Sequence, residues 1–488
     1  MHEPSQFEFP ENSVLFPPAD ERRKWDDQLT DALADAEQRV SLCSVMPSLL
    51  AEDFRHGLDA LDFETPMHFG RLLEWTIESL QQGIVHITHP RYFGLFNPAP
   101  TFASQCADRI AASFNPQLAS ATTSPAAVQI EAHMARTMAR RAGLGNAAAG
   151  HFTSGGSEAN GTALICALTH KEAGFALHGC RAFAKRPVFY ISQDSHLAWI
   201  KLAHQAGIGR AAARIIPTDG SGRMDTRALE AAIVDDKAND CVPFMVVATA
   251  GTTNAGMVDP LRICAEIART HEAWYHVDAA WGGAAIASPG LCRAVVGMER
   301  ADSVTIDAHK WFATTMGCGM FLTRRPEVLA ATFNVMTSFM PSHAADVDPY
   351  LNSAQWSRRF SGLRLFLSLA AGGWAGYAAH VERSVGLAKL FADRIARLGW
   401  RILNEPELAV VCATPPGDDI TVREIVSRVT ASGRAWIAAA KFEGLDVVRV
   451  CVTNGRTSVD DVLELVSALE EARCGINTAR RPEETLQC

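Results

Sequence analysis

The sequence lacks the features that would place it in a membrane, on a nucleic acid or around a structural metal. No apolar run reaches the ~18 residues of a membrane span. The opening MHEPSQFEFPENSVLFPPADERRKW has neither a basic leader nor a continuous apolar stretch, which argues against a secretory signal. There is no CxxC or HxxxH pair, so no metal site is expected. The 12 cysteines are scattered singly through apolar segments and read as reduced, buried small hydrophobes of a cytoplasmic protein. No basic stripe, internal repeat or low-complexity tract occurs, and neither nucleic acid nor membrane is an expected partner.

What is present is an ordinary globular composition: 488 residues, 48% hydrophobic and 20% charged, with a mild net charge of -9. That length suggests two or three regions. Residues 1–85 read as a helical and partly extended segment, with helices over Trp25–Val40 and Met67–Val85. Residues 86–362 alternate helical stretches with short apolar runs at Pro187–Ile191, Pro243–Thr249, Trp274–Asp278 and Ser303–Asp307. Strands that are apolar without alternation are covered on both faces, so this is an α/β domain with a mostly parallel sheet. Residues 363–488 read as a small α+β domain. Its helices are expected over Leu363–Leu398, Ile420–Ala431 and Val459–Ala472, and its strands over Glu407–Cys412 and Asp446–Thr453.

Three motifs carry chemistry. In HFTSGGSEANG (151–161), Gly155 and Gly156 allow a tight turn and close backbone approach. The amides near Ser157 and Glu158 then open a helix, where an anion is favoured; an ordinary strand–helix turn is the alternative. The motif lacks the Gly-Lys-Ser/Thr ending of a P-loop. Asp278 ends the run WYHVD and is followed by the small Ala279 and Ala280. It is either a helix cap or a charge that keeps a flat heterocycle protonated. In SVTIDAHKWF (303–312), Lys310 follows an apolar strand closely, and His309 beside it could donate to a phosphate. A desolvated lysine is a nucleophile toward an aldehyde; a surface lysine is the alternative. Together the three supply an anion seat, an acid for a ring nitrogen and an amine for an aldehyde, which are the needs of pyridoxal 5'-phosphate.

HVDAAWGG, IDAHKW and SGGSEAN resemble the group II pyridoxal-phosphate-dependent amino-acid decarboxylases, of the aspartate-aminotransferase-like fold (fold type I). HPRYFGLFNPAP, SPAAVQIE, GTTNAGMVDPL, RRFSGLRLF and VVRVCVTNGRT extend the resemblance over roughly residues 85–470. It implies that Lys310 holds the cofactor as a Schiff base and that Asp278 pairs with the pyridine nitrogen. His196 would stack on one ring face, Ala280 would pack on the other, and Thr252 would lie near the 3-hydroxyl. Gly156, Ser157 and His309 would hold the phosphate, and Arg449 would meet the substrate carboxylate or shape the site. A homodimer with the site at its interface is implied as well.

The implied reaction is decarboxylation of an L-amino acid to its amine. Phe93 and Phe96 suit an aromatic side chain, whereas Gln117 would suit a polar one. The sequence departs from the family at the loop NVMTSFMPSHAADVDPYLN, where Phe339 stands nearest to a tyrosine that many members carry for proton transfer. Phenylalanine donates no proton. The replacement implies decarboxylation coupled to oxidative deamination as an alternative, with an aldehyde product, unless Tyr350 or His343 restores the donor. Transamination or carbon–carbon lysis would use the same machinery, and a non-enzymatic scaffold on this fold is the remaining alternative.

Overall fold

The computed structural model describes residues 15–49, 51–335, 348–417 and 420–475. The chain divides at His89/Pro90 into two compact units. The first holds helices Ala19–Arg39, Ala51–Asp59 and Phe69–Gly83. Within it Trp25 meets Phe69 edge-on with ring centroids 4.9 Å apart, and Gln28 Nε2 donates to Glu74 Oε1 at 2.9 Å.

The second unit carries the chemistry-bearing motifs. Among its described residues are strands β1 (Ala149–Thr153), β2 (Arg186–Ser192), β3 (Ala213–Ile216), β4 (Cys241–Thr249), β5 (Trp274–Asp278), β6 (Ser303–Asp307) and β7 (Gly319–Thr323). They form one seven-stranded sheet in the order β1-β7-β6-β5-β4-β2-β3. Pairings from β3 through β2, β4 and β5 to β6 are parallel, while β7 runs antiparallel to both β6 and β1. All five residues of β5, β6 and β7 are buried, as strands covered on both faces must be. Proline inside a central strand is uncommon because it removes a ladder donor. Pro243 of β4 is such a case, and the β2–β4 register slips next to it, between Val188 and Phe189.

A second, antiparallel sheet follows: β8 (Arg401–Ile402), β9 (Val410–Thr414), β10 (Ala438–Phe442) and β11 (Leu445–Cys451), in the order β10-β11-β9-β8. Helices Val422–Ala431 and Val459–Arg473 accompany it. The long helix Gly362–Ala396 leads in, broken at Gly373, whose φ is 62°. The segment after Pro90 threads along this smaller sheet. Phe93 N–H donates to Trp436 O at 2.8 Å and its carbonyl accepts from Cys451 N–H at 2.8 Å. The fold is thus α/β with a mostly parallel main sheet and a small α+β portion. Among the described residues ten cysteines are free. No helix among the described residues is long and apolar enough to cross a membrane.

One buried carboxylate ties the loop after β4 to the sheet. Asp259, 2% exposed, accepts from Thr249 N–H at 2.7 Å and from Met224 N–H at 2.8 Å. Burial pushes its pKa up to about 6 despite these donors. Because the folded state binds the proton more tightly than the unfolded chain, this group's contribution to stability falls as pH rises from the unfolded carboxylate range toward 6. Asp259→Asn turns an NH₂ toward one of the two N–H donors and should cost about 1–3 kcal/mol. It should also remove that pH dependence, both effects being readable from urea unfolding at several pH values.

Candidate active site

Three parallel strands end side by side, with Thr249 closing β4, Asp278 closing β5 and Asp307 closing β6. Ligands of open α/β sheets bind beyond such carboxyl ends. A cavity of about 320 Å³ opens there, and its wall includes Gly156, Ser157, His196, Asp278, Ala280, His309 and Lys310. These residues come from segments far apart in the chain, and the sheet order brings them together.

Lys310 lies in the turn after β6, its amide donating to Asp307 O at 3.2 Å. Its side chain is 22% exposed, with Nζ 3.0 Å from Asp307 Oδ2. His309 Nδ1 accepts from Cys318 N–H at 3.2 Å, so in the neutral ring the proton sits on Nε2. Burial lowers the His309 pKa, which favours that neutral form. His196 is exposed at the wall, and its Nδ1 accepts from Ala198 N–H at 3.2 Å.

Asp278 is 5% exposed and held by donors on every side. Its Oδ2 accepts from Asn160 Nδ2 at 2.7 Å and from Trp199 Nε1 at 3.3 Å, and its Oδ1 from Ala280 N–H at 3.2 Å. Behind it Asn160 Oδ1 lies 3.2 Å from His276 Nε2, His276 Nδ1 lies 2.8 Å from Ser303 Oγ, and Ser303 Oγ accepts from Trp274 Nε1 at 2.8 Å. Burial lowers the His276 pKa to about 4, so the ring is neutral. Asp278 as a carboxylate only accepts and Trp274 only donates, which runs the chain one way: an Asn160 Nδ2 hydrogen faces the carboxylate, Nε2–H donates to Asn160 Oδ1, and the Ser303 hydroxyl donates to Nδ1. The Asn160 amide is thereby turned so that its NH₂ faces the carboxylate.

The anion seat is the start of helix Gly156–Lys171. The Glu158 and Ala159 N–H groups are spent on Gly155 O, both at 3.1 Å. The seat therefore shifts back from the expected Ser157–Glu158 pair: the Gly156 and Ser157 N–H groups stand ahead of the first intrahelical bond. A Cβ on Gly156 would lie 2.9 Å from Asp307 Oδ2 and 3.2 Å from Ala280 Cβ. Only glycine leaves that corner open. Glu158 is drawn aside, its Oε2 accepting from Ser154 N–H and Oγ at 2.7 Å and from Gln355 Nε2 at 2.8 Å. A bare backbone corner with donor amides, a lysine and a buried acid across the cavity fit pyridoxal phosphate.

Several expected residues sit elsewhere. Thr252 is fully buried; its Oγ1 accepts from Met257 N–H at 3.0 Å, and Gly251 and Thr253 meet the cavity from that loop instead. The GTTNAG turn needs that hydroxyl to close on itself. Phe96 lines the cavity, stacked on Trp281 with centroids 4.4 Å apart. Phe93, three residues earlier in the chain and fully buried, belongs to the core. Gln117 is exposed and donates to Ser357 Oγ at 3.1 Å. Arg449, 3% exposed, lies behind the wall with Cζ 4.7 Å from the Phe96 ring centroid. Its Nε donates to Thr253 O at 2.7 Å and its Nη1 to Gly94 O, so it braces backbone. Tyr350 is 4% exposed, packs on Trp356 at 4.8 Å, and is not part of the cavity wall. Phe339 and His343 lie outside the described residues.

Asn160, Trp199, His276 and Asp307 were not foreseen as site residues. Asn160 carried a readable signal, since it lies four residues after Gly156 and so on the same helix face. Trp199 and His276 read as core residues, and only the fold turns their N–H groups toward Asp278.

A parallel sheet with a lysine, an acid and an anion seat at its strand ends defines a pyridoxal-phosphate enzyme. The model of the pyridoxal-dependent decarboxylase conserved domain matches residues 54–414, and the chain belongs to that family. An aromatic-L-amino-acid decarboxylase of Bacillus atrophaeus is 26% identical over 467 residues, covering 93% of this chain and 95% of the relative. An L-2,4-diaminobutyrate decarboxylase of Acinetobacter baumannii is 28% identical over 422 residues, covering 81% and 82%. Among solved structures, Oryza sativa TDC with PLP and tryptamine superposes with a TM-score of 0.89 at 24% identity, covering 95% of this chain and 99% of that one. The chain is a pyridoxal-phosphate-dependent carboxy-lyase acting on an amino acid.

Hydrogen bonds to a charged group contribute about 1.5–3 kcal/mol. Asn160→Ala should therefore weaken cofactor affinity about ten- to a hundredfold, measured by titrating apoenzyme with pyridoxal phosphate and following visible absorbance.

Proposed function

We propose that the enzyme decarboxylates an aromatic L-amino acid to its amine, with Lys310 anchoring the cofactor covalently and Asp278 facing its ring nitrogen. Gly156 and Ser157 N–H and His309 Nε2–H hold the phosphate, Ala280 leaves room for the ring, and His196 covers it from the other side. The observation that carries the aromatic reading is the wall made by Phe96 stacked on Trp281, with Trp311 packed behind Trp281 at 5.3 Å in the core. Aromatic faces favour an aromatic guest by stacking. The aromatic-amino-acid relative supports the same substrate class, whereas the diaminobutyrate relative marks the rival.

Pyridoxal phosphate supplies the electron sink that accepts the pair left by the departing carboxylate. The chain's residues set the conditions. Asp278, held by its donors, favours the protonated ring nitrogen as an adjacent opposite charge does. The stacked aromatics exclude water from the substrate side, and Arg449 fixes the loop backbone at Thr253 and Gly94 on which that wall rests. His196 Nε2 bears the ring's proton in the neutral form, since Nδ1 is engaged as an acceptor.

Large apolar side chains stand exposed on the same unit: Phe102 at 76%, Phe114 at 82% and Leu197 at 70%. Leu197 adjoins His196. A second copy of the chain covering them, with the site at the interface, accounts for this exposure.

A second reading is favoured by Phe339 and by Tyr350 packing on Trp356: decarboxylation coupled to oxidative deamination, giving aldehyde, ammonia and hydrogen peroxide. One experiment separates the two. Cofactor-loaded enzyme is given single amino acids while carbon dioxide, amine, aldehyde and peroxide are measured together. Carbon dioxide with equal amine from an aromatic substrate is the expected result; equal aldehyde and peroxide selects the second reading, and in that case Phe339→Tyr should shift the product toward amine. Turnover of 2,4-diaminobutyrate in preference to aromatic amino acids would overturn the substrate reading.

A further inference from the structure

Ser303 opens β6, at the opposite end of that strand from Asp307, and is fully buried. Trp274 likewise opens β5, at the opposite end from Asp278. Neither belongs to the cavity wall, so neither can touch a ligand there. Ser303 Oγ nevertheless accepts from Trp274 Nε1 at 2.8 Å and stands 2.8 Å from His276 Nδ1. Holding the indole N–H needs only an acceptor. The hydroxyl hydrogen is left over, and His276 is where it goes.

His276 is fully buried, and Trp199 packs edge-on against its ring with centroids 5.5 Å apart, which holds the ring plane. A neutral imidazole then has one freedom left, the choice of which nitrogen carries its proton. With Asn160 Nδ2 turned to Asp278, Asn160 Oδ1 faces Nε2 at 3.2 Å and needs the proton there. Thr305 Oγ1, 3.4 Å from Nε2, can donate or accept and so suits either choice. Nδ1 must therefore be a bare acceptor, and Ser303 is the hydroxyl that fills it. Trp274 takes up one lone pair of Oγ, so a hydroxyl that donates to Nδ1 leaves all three groups paired.

Without that hydroxyl the balance reverses. The Ser303 backbone binds the ring as an acceptor and raises its hold on a proton. The single proton then favours Nδ1, the ring stays neutral, and Nε2 turns a lone pair toward the lone pairs of Asn160 Oδ1. The Asn160 amide relieves this by turning over, which offers its NH₂ to Nε2 and its carbonyl oxygen to Asp278. The carboxylate loses its 2.7 Å donor and gains a repulsive neighbour.

We infer that Ser303 is a positioning residue for the cofactor, acting through His276 and Asn160 on the carboxylate that faces the ring nitrogen. This rests on the reading of Asp278 as the partner of that nitrogen. A hydroxyl at the far end of the sheet thus sets how firmly the ring is held in its protonated form, without contact with cofactor or substrate.

The test titrates apoenzyme with pyridoxine 5'-phosphate, which has the ring and phosphate but no aldehyde, so that Lys310 plays no part in the signal. Binding is followed by fluorescence, and the absorption band of the bound probe reports whether its ring nitrogen carries a proton. Ser303→Ala should weaken binding about tenfold, the worth of one hydrogen bond to a charged group, and move the band toward the neutral pyridine. In an Asn160→Ala background the same substitution should change affinity less than about twofold, because the coupling runs through the missing amide. Trp274→Phe/Ser303→Ala leaves no indole N–H orphaned and keeps the test open if Ser303→Ala folds poorly; it should show the same loss and the same band. Parent-like affinity and band in these variants would overturn the inference. So would a tenfold loss that persists without Asn160 and tracks a fall in urea stability, since that is the mark of general damage. Asp278→Asn is the control: if it too keeps the parent's affinity and band, the reading of Asp278 fails, whereas a shift in Asp278→Asn alone strikes only the role of Ser303.

Discussion

A carboxylate buried to 5% exposure, with no cation within ion-pair distance among the described residues, is the constraint on which the rest of the site depends. Burying such a charge costs several kcal/mol unless hydrogen bonds replace the lost water. Asp278 recovers that cost from Asn160, Trp199 and the Ala280 amide. Each donor comes from a different element, so those elements have one workable arrangement. Helix Gly156–Lys171 must cross the sheet where Asn160 reaches β5, and that placement also sets Gly156 at the end of β6. The anion seat and the acid are thus fixed by a single docking of one helix.

The chain of donors running from Trp274 through Ser303, His276 and Asn160 is polar matter in a dry interior, acceptable only because each member is satisfied. It gives Asn160 one orientation where an isolated amide has two. Replacing Asn160 with an apolar residue would leave Asp278 Oδ2 with Trp199 as its one donor. This polar thread serves the site more than the stability of the sheet.

Sequence patterning located the strands that matter. Trp274–Asp278 and Ser303–Asp307 coincide with β5 and β6, and the runs at 187–191 and 243–249 lie inside β2 and β4. These are buried on both faces and read as short apolar runs. β1, β3, β7, β10 and the two-residue β8 escaped notice. β1 (AGHFT) and β10 (AAAKF) are rich in small residues, β3 has only four residues, and β7 begins at a glycine. In the site, residues contributed by a strand end or by the turn after it were legible, because such positions project toward a ligand in any sheet of this kind: Asp278, Ala280, His309, Lys310 and Gly156. Residues whose role depends on side-chain direction were not. Thr252 turned inward to close its own loop, Arg449 bonded backbone carbonyls, and Phe93 and Phe96, three residues apart, parted into core and wall. Asn160 and Trp199 reach Asp278 only through tertiary packing that spacing along the chain does not encode.

The distribution of charge in the cavity shows why the site is complete only with its ligand. Its wall carries three acids, Glu158, Asp278 and Asp307, against one lysine. Glu158 is satisfied by neighbouring donors and faces aside. Asp278 has its inner oxygen saturated by Asn160 and Trp199, while Oδ1 has a single amide donor 3.2 Å away, so a cationic ring nitrogen offers it the stronger partner. Asp307 Oδ2 stands 3.0 Å from Lys310 Nζ, so the acid that ends β6 and the lysine in the turn after it form one ion pair. The ion pair sets the direction of the lysine side chain, and the turn after β6 thereby presents the amine to the cavity beside Gly156.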